Sequence, residues 1–118
     1  MNIAIQGVHL ALTDALEEYV NRRFASLGRV LGRFELQQDL TLRVDIGRIT
    51  RHHQKGDVFS VAVSLRIGRV TLHVEQTGGD VRRVVDDAQK RFKEIVEDYK
   101  ERTQKRDKVA IDKAKMKL

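Results

Sequence analysis

FSVAVSLRIGRVTLHVE, residues 59–75, is the stretch that decides the fold. Phe59, Val61, Val63, Leu65 and Ile67 alternate with Ser60, Ala62, Ser64 and Arg66. Val70, Leu72 and Val74 then alternate with Thr71, His73 and Glu75. A period of two sends successive side chains to opposite faces, so each run reads as a strand with one apolar and one more polar face. Gly68-Arg69 between them is a two-residue hairpin loop with glycine first. An apolar sheet face of this kind needs a covering layer, and the remaining sequence must supply it.

Upstream, Leu40, Leu42, Val44 and Ile46 alternate with Thr41, Arg43 and Asp45 as far as Gly47, a further strand joined to the hairpin by the polar segment 48–56. Residues 2–6 make a short first strand that ends at Gly7. Between these strands Thr13 stands as a helix N-cap, with Asp14, Glu17 and Glu18 in the first turns, where the helix dipole favours anions. Leu16, Tyr19, Val20, Phe24, Leu27, Val30, Leu31 and Phe34 follow at spacings of three and four, which predicts an amphipathic helix over about residues 13–33. Gly28 and Gly32 weaken its last turns, where fraying or a break is expected. Gly78-Gly79 stops the sheet, and Asp80 caps a second helix whose apolar stripe runs from Val81 to Tyr99. The order is β-α-β-β-β-α: an α+β fold with one four-stranded sheet and two helices packed on one face. Residues 1–100 form its single domain, and residues 101–118 form a basic tail, expected as a frayed helix or disordered segment.

The chain has 118 residues, 41% hydrophobic, and no cysteine, so neither a disulfide nor a thiolate site or nucleophile is available. No apolar run reaches the roughly 18 residues of a membrane span. The opening MNIAIQGVHL lacks the charged-then-apolar pattern of a signal peptide, so a cytoplasmic protein with no membrane partner is expected. The net charge is +6, but residues 100–118 carry eight Lys/Arg against three Asp/Glu. That leaves fifteen against fourteen in residues 1–99, a net of +1. Nucleic-acid binding by the body therefore depends on how its charges are segregated.

In the first helix Arg22, Ser26, Arg29 and Arg33 recur at i, i+4, i+7 and i+11, one stripe beside the apolar face. It reads either as a solvated face with cations suited to the C-terminal dipole or as a row of phosphate contacts. The second helix has Arg82, Lys93 and Lys100 along one flank and Arg91 and Arg102 along the other, interleaved with Asp86, Asp87, Glu94, Glu97 and Asp98. By itself that is also an ordinary surface of i, i+4 ion pairs. Arg48, Arg51, His52, His53 and Lys55 form a second positive cluster in a loop. The adjacent histidines lack a carboxylate or cysteine at a matching spacing, so no metal is expected there, and His9 and His73 read as structural. No phosphate-cradling glycine loop and no nucleophile elbow is present, so the chain is read as a non-enzyme that needs no cofactor and takes no small-molecule substrate. All six aromatic residues fall on apolar stripes, which leaves none to stack unpaired bases; backbone and shape contacts to folded RNA remain.

Three segments, in order, resemble the ribosome hibernation-promoting factor family, also known as ribosome-associated inhibitor A, protein Y or sigma-54 modulation protein. NIAIQGVHLALTDALEEYVNRRFASLGRVLGRF is similar to the family's opening strand and helix, HHQKGDVFSVAVSL to its second and third strands, and GGDVRRVVDDAQKRFKEIVEDYK to its closing helix. The resemblance covers about residues 1–100. It implies a short-form member with a fold similar to double-stranded-RNA-binding domains. It implies binding to the 30S subunit and the 70S ribosome through 16S rRNA, near the decoding centre and as a monomer when bound. There it would block the tRNA and mRNA sites and inhibit translation in stationary phase or stress. By position it implies RNA contacts from Arg22, Arg23, Arg29 and Arg33 on the first helix, and from Arg82, Arg83, Lys90, Arg91, Lys93 and Lys100 on the second. The sequence makes three departures from the family pattern: Ser26 where lysine is frequent, Val81-Arg82 in place of Met-Tyr, and Glu94, Glu97 and Asp98 where many relatives are basic. The alternative reading is a regulatory protein-binding module on the same scaffold.

Overall fold

The computed structural model describes residues 1–36, 38–49 and 56–116, and all side chains among them except those of Arg33 and residues 106–116. The elements follow the chain as β1 (Asn2–Val8), α1 (Asp14–Ala25), α2 (Leu27–Glu35), β2 (Thr41–Ile49), β3 (Val58–Ile67), β4 (Val70–Gly78) and α3 (Val81–Met116). One mixed sheet has the order β1-β2-β3-β4. β2, β3 and β4 pair antiparallel, and Ile67 faces Val70 across the two-residue loop, with Gly68 at φ +60° as the first position of such a turn requires. β1 is parallel to β2, from Asn2 opposite Thr41 to Val8 opposite Gly47, so the chain must cross over between them. The crossover is α1 and α2.

The expectation of two helices is corrected to three, because the first helix bends at Ser26 and not at its glycines. Ser26 keeps right-handed backbone angles (φ −63°, ψ −21°). Its hydroxyl donates to the carbonyl of Arg23 at 3.4 Å, a bond back along the helix of the kind that bends one. The Arg29 amide donates to the Ser26 carbonyl at 3.3 Å, the tight i, i+3 spacing of a 3₁₀ turn. The helix then resumes through both glycines to Glu35.

Apolar residues fill one face of the sheet: Leu42, Val44 and Ile46 on β2, Val61, Val63, Leu65 and Ile67 on β3, Leu72 and Val74 on β4. Against it pack Val20 and Phe24 from α1, Leu27 and Leu31 from α2, and Val85, Ala88, Phe92 and Val96 from α3. Among the described residues no polar or charged side chain is fully buried. The starts of α1 and α3 are capped as expected. The Thr13 hydroxyl accepts from the Leu16 amide at 3.2 Å, and Asp80 Oδ1 accepts from the Arg82 amide at 3.1 Å. Among the described residues the last apolar contact of α3 with the body is Tyr99, whose ring centroid lies 5.6 Å from that of Phe34. From there α3 continues as helical backbone through the basic tail to Met116, which makes the molecule 67 Å long against 29 and 20 Å across.

The chain leaves β1 by folding back on itself, through His9 at φ +55°. A Cβ on Gly7 would run into the carbonyl oxygen of Leu10 and come within 3.1 Å of Leu12 Cγ. Gly28, by contrast, has nothing within 4 Å of the same position and lies in a helix. Gly7→Ala is therefore expected to lose about 1–3 kcal/mol through overpacking. Gly28→Ala is expected to gain up to about 1 kcal/mol from helix propensity. Chemical denaturation of the two variants tests this; shifts of the same sign would contradict the packing assigned to Gly7.

Candidate nucleic-acid interface

Because the sheet is apolar on one side only, α1, α2 and α3 lie side by side on it and their polar flanks meet. On α3 the flank toward α1 and α2 is the row Arg82, Asp86, Gln89, Lys93, Glu97, Lys100 and Gln104, spaced by three or four throughout. The contacts confirm its direction. Asp86 bonds to Tyr19 and Arg23 of α1, the Gln89 amide donates to the Ser26 hydroxyl at 3.4 Å, and Glu97, Lys100, Glu101 and Gln104 line an open groove opposite Arg29 and Val30 of α2. The seam therefore gathers Arg22, Arg23 and Arg29 with Arg82, Lys93 and Lys100.

Six of the ten expected RNA contacts thus come to one surface. Arg83 does not: it lines a cleft with Thr77, Gly78, Gly79, Asp80 and Asp87 at the corner between β4 and α3. Lys90 is exposed one turn after Asp86, with no bond to α1 or α2 among the described residues. Arg91 is on the far flank, bonded to Glu94 at 3.1 Å. The side chain of Arg33 lies outside the described residues, as do Arg51, His52, His53 and Lys55 of the basic loop. The remaining cation of that cluster, Arg48, lies not in a loop but in β2, which runs on to Ile49; it is 3.8 Å from Asp57 and over the ring of Phe59.

Arg91–Glu94, Arg102–Asp98, Arg43–Asp45 and Arg48–Asp57 all lie away from the seam. Within it, among the described residues, Asp86 pairs with Arg23, and no carboxylate lies within ion-pair distance of Arg22, Arg29, Arg82, Lys93 or Lys100. Against the carboxylates of Asp86, Glu97 and Glu101, the strip keeps an excess of positive charge, the arrangement that attracts a polyanion. Among the described residues no three His, Cys, Asp or Glu side chains gather as metal ligands, and no helix is long and apolar enough to cross a membrane.

One connection was not visible in the sequence. Asp86 Oδ1 accepts hydrogen bonds from the Tyr19 hydroxyl and from Arg23 Nε, each at 2.6 Å, and so ties α1 to α3. Partial burial alone would raise the Asp86 carboxyl; the bonds from Tyr19 and Arg23, with the charge of Arg23, outweigh it and hold the carboxyl below the usual aspartate range. The bond to Asp86, then burial and the carboxylate charge, push the Tyr19 phenol up. In the sequence Tyr19 is one more apolar-stripe residue and Asp86 one more surface carboxylate. They are 67 positions apart, and no periodicity links them.

Compared with known proteins, the chain matches over residues 3–104 the family described as Sigma 54 modulation protein / S30EA ribosomal protein. The comparison with curated proteins finds no match. Two solved structures share the fold. The N-terminal domain of Protein Y from Thermus thermophilus is 22% identical with a TM-score of 0.62, over 84% of this chain and 99% of that one. A ribosomal subunit interface protein from Coxiella burnetii is 16% identical with a TM-score of 0.62, over 85% of this chain and 98% of that one.

The Asp86 bonds set a pH signature. A carboxyl held low in the folded state contributes stability that is present above its unfolded pKa, about 3.9, and is lost as pH falls through the lower folded value. Asp86→Asn is expected to cost about 1 kcal/mol at neutral pH, as for a partly exposed charge-assisted pair. That difference should shrink below about pH 4. Thermal melts of both proteins from pH 7 to pH 3 check this; a difference independent of pH would contradict it.

Proposed function

The chain belongs to the Sigma 54 modulation protein / S30EA ribosomal protein family, and from that premise we propose that it is a ribosome hibernation factor. In this reading it binds the small ribosomal subunit near the decoding centre and inhibits translation by occupying the tRNA and mRNA sites. The observation that carries the reading is the seam: Arg22, Arg29, Arg82, Lys93 and Lys100, cations from three helices, brought to one side with no carboxylate at ion-pair distance among the described residues. Phosphate contacts of this kind position a protein on folded RNA without reading bases. The aromatic residues fit this division. Phe24, Phe34 and Phe92 are buried, and Tyr19, Phe59 and Tyr99 pack at least partly against the body. The ribosomal association of the family points to the cytoplasm as its place of action.

Affinity in this reading comes largely from counterion release, and inhibition is by occupancy. Block of translation should therefore follow the ratio of protein to ribosomes, and 16S rRNA should be the partner. The basic end of α3 adds long-range attraction along the same polyanion. Arg22→Glu, Arg29→Glu and Lys93→Glu together should leave the fold in place, since exposed changes of this kind usually cost no more than about 0.5 kcal/mol each. Co-sedimentation with 30S and 70S particles should be lost at moderate salt. The log–log salt slope of any residual binding should be shallower by about 2 to 3. A folded triple variant that sediments like the parent would refute the proposal.

A further inference from the structure

Around Tyr19 the seam carries more than a row of cations. The guanidiniums of Arg82, Arg22 and Arg23 lie 5.0, 5.9 and 5.9 Å from the centroid of its ring. Arg22 and Arg23 come from α1 and Arg82 from α3, so the ring is where the two helices bring their cations together. One carboxylate, Asp86, faces the three, and it is bonded to Arg23 and to the Tyr19 hydroxyl. The cluster therefore holds a net charge of +2. The negative face of the ring offsets part of the repulsion, and an arriving anion would relieve the rest.

The arrangement also separates the roles of the three arginines. Arg23 is committed to Asp86, so it is a fastening between helices. Arg22 and Arg82 have no carboxylate partner among the described residues, and both lie over the ring of Tyr19. Free arginine side chains lose much rotamer freedom when they bind, and a shared surface that orders them beforehand reduces that loss. We propose that Tyr19 is a platform that presents Arg22 and Arg82 together to a single backbone phosphate of the RNA, and that Asp86 is the positioning residue that holds this platform. The inference rests on the functional reading above and deepens it. It assigns phosphate contact to Arg22 and Arg82 and withholds it from Arg23. The platform depends on Arg82, which stands where the family pattern has tyrosine.

Plain electrostatics and the platform predict opposite effects at Asp86. If Asp86 only cancels positive charge, Asp86→Asn makes the seam more positive and ribosome binding tighter. If it holds the platform, the same change weakens binding although the net charge rises. The experiment measures the affinity for purified ribosomes at one fixed salt concentration. It compares the parent with Asp86→Asn, Arg82→Gln, Tyr19→Leu, Tyr19→Phe and the Tyr19→Leu/Arg82→Gln double variant, each checked for folding by thermal melt. Arg82→Gln should cost about tenfold, the size of one charge-assisted hydrogen bond. The double variant should bind no worse than Arg82→Gln by more than the share of Tyr19→Leu that belongs to Arg22, well short of the product of the two losses. Tyr19→Phe, which keeps the ring but loses its bond to Asp86, should weaken binding no more than Asp86→Asn and clearly less than Tyr19→Leu, and Asp86→Asn should weaken binding. Losses that multiply fully, a phenylalanine variant as weak as the leucine one, or tighter binding by Asp86→Asn would each overturn the platform and leave the functional reading standing. A parent that does not bind ribosomes would overturn both.

Discussion

Everything on the surface of this protein follows from one-sided burial of its sheet. The alternation in β2, β3 and β4 sends Leu42, Val44, Ile46, Val61, Val63, Leu65, Leu72 and Val74 to a single face. The other face carries Gln6, Arg43, Asp45, Ser60, Ala62, Ser64, His73 and Glu75 and has no helix over it. The crossover helices and α3 must therefore share the apolar side. Three helices on one face of a four-stranded sheet cannot avoid touching along their flanks, and the polar residues beside each apolar stripe become neighbours. The seam is a by-product of covering the core, and it became a charged surface through the choice of residues at positions the core leaves open.

That choice is asymmetric. On the far flank of α3, Arg91 and Arg102 are set against Glu94 and Asp98; on the sheet's outer face, Arg43 bonds both Asp45 and Gln6. Exposed pairs of this kind add little stability, but they cancel the local field. In the seam, among the described residues, Asp86 is the carboxylate bonded to a cation, and it fastens α1 to α3 while Arg22 and Arg82 beside it stay without an ion pair. A body with a net charge of only +1 thus has a definite positive side, and the strongly basic end of α3 extends beyond it.

Much of this was legible in the sequence, for a physical reason. Strand alternation, helical stripes and the Thr13 and Asp80 caps are local patterns with fixed periods, so the order β-α-β-β-β-α and the core residues could be read directly. The bend at Ser26 was misplaced because glycine propensity pointed to Gly28 and Gly32, whereas a serine hydroxyl bonded back to Arg23 produced it. Of the candidate contacts, those on the stripe with Arg82, Lys93 and Lys100 were placed correctly on one flank. The sequence could not say that this flank meets α1 while Arg83 and Arg91 turn elsewhere, because that depends on how the helices lie on the sheet. The Tyr19–Asp86 bond was illegible for the same reason: it spans 67 residues and involves two side chains that look ordinary in their own helices.

The central claim is that the seam between α1, α2 and α3 is the face that meets RNA. An electron cryo-microscopy reconstruction of the protein on the small ribosomal subunit tests it most directly. The account predicts Arg22, Arg29, Arg82 and Lys93 within contact distance of 16S rRNA phosphates near the decoding centre, with the outer sheet face of Arg43, Ser64 and His73 turned away. Density that placed this sheet face against the RNA and left the seam in solvent would contradict it.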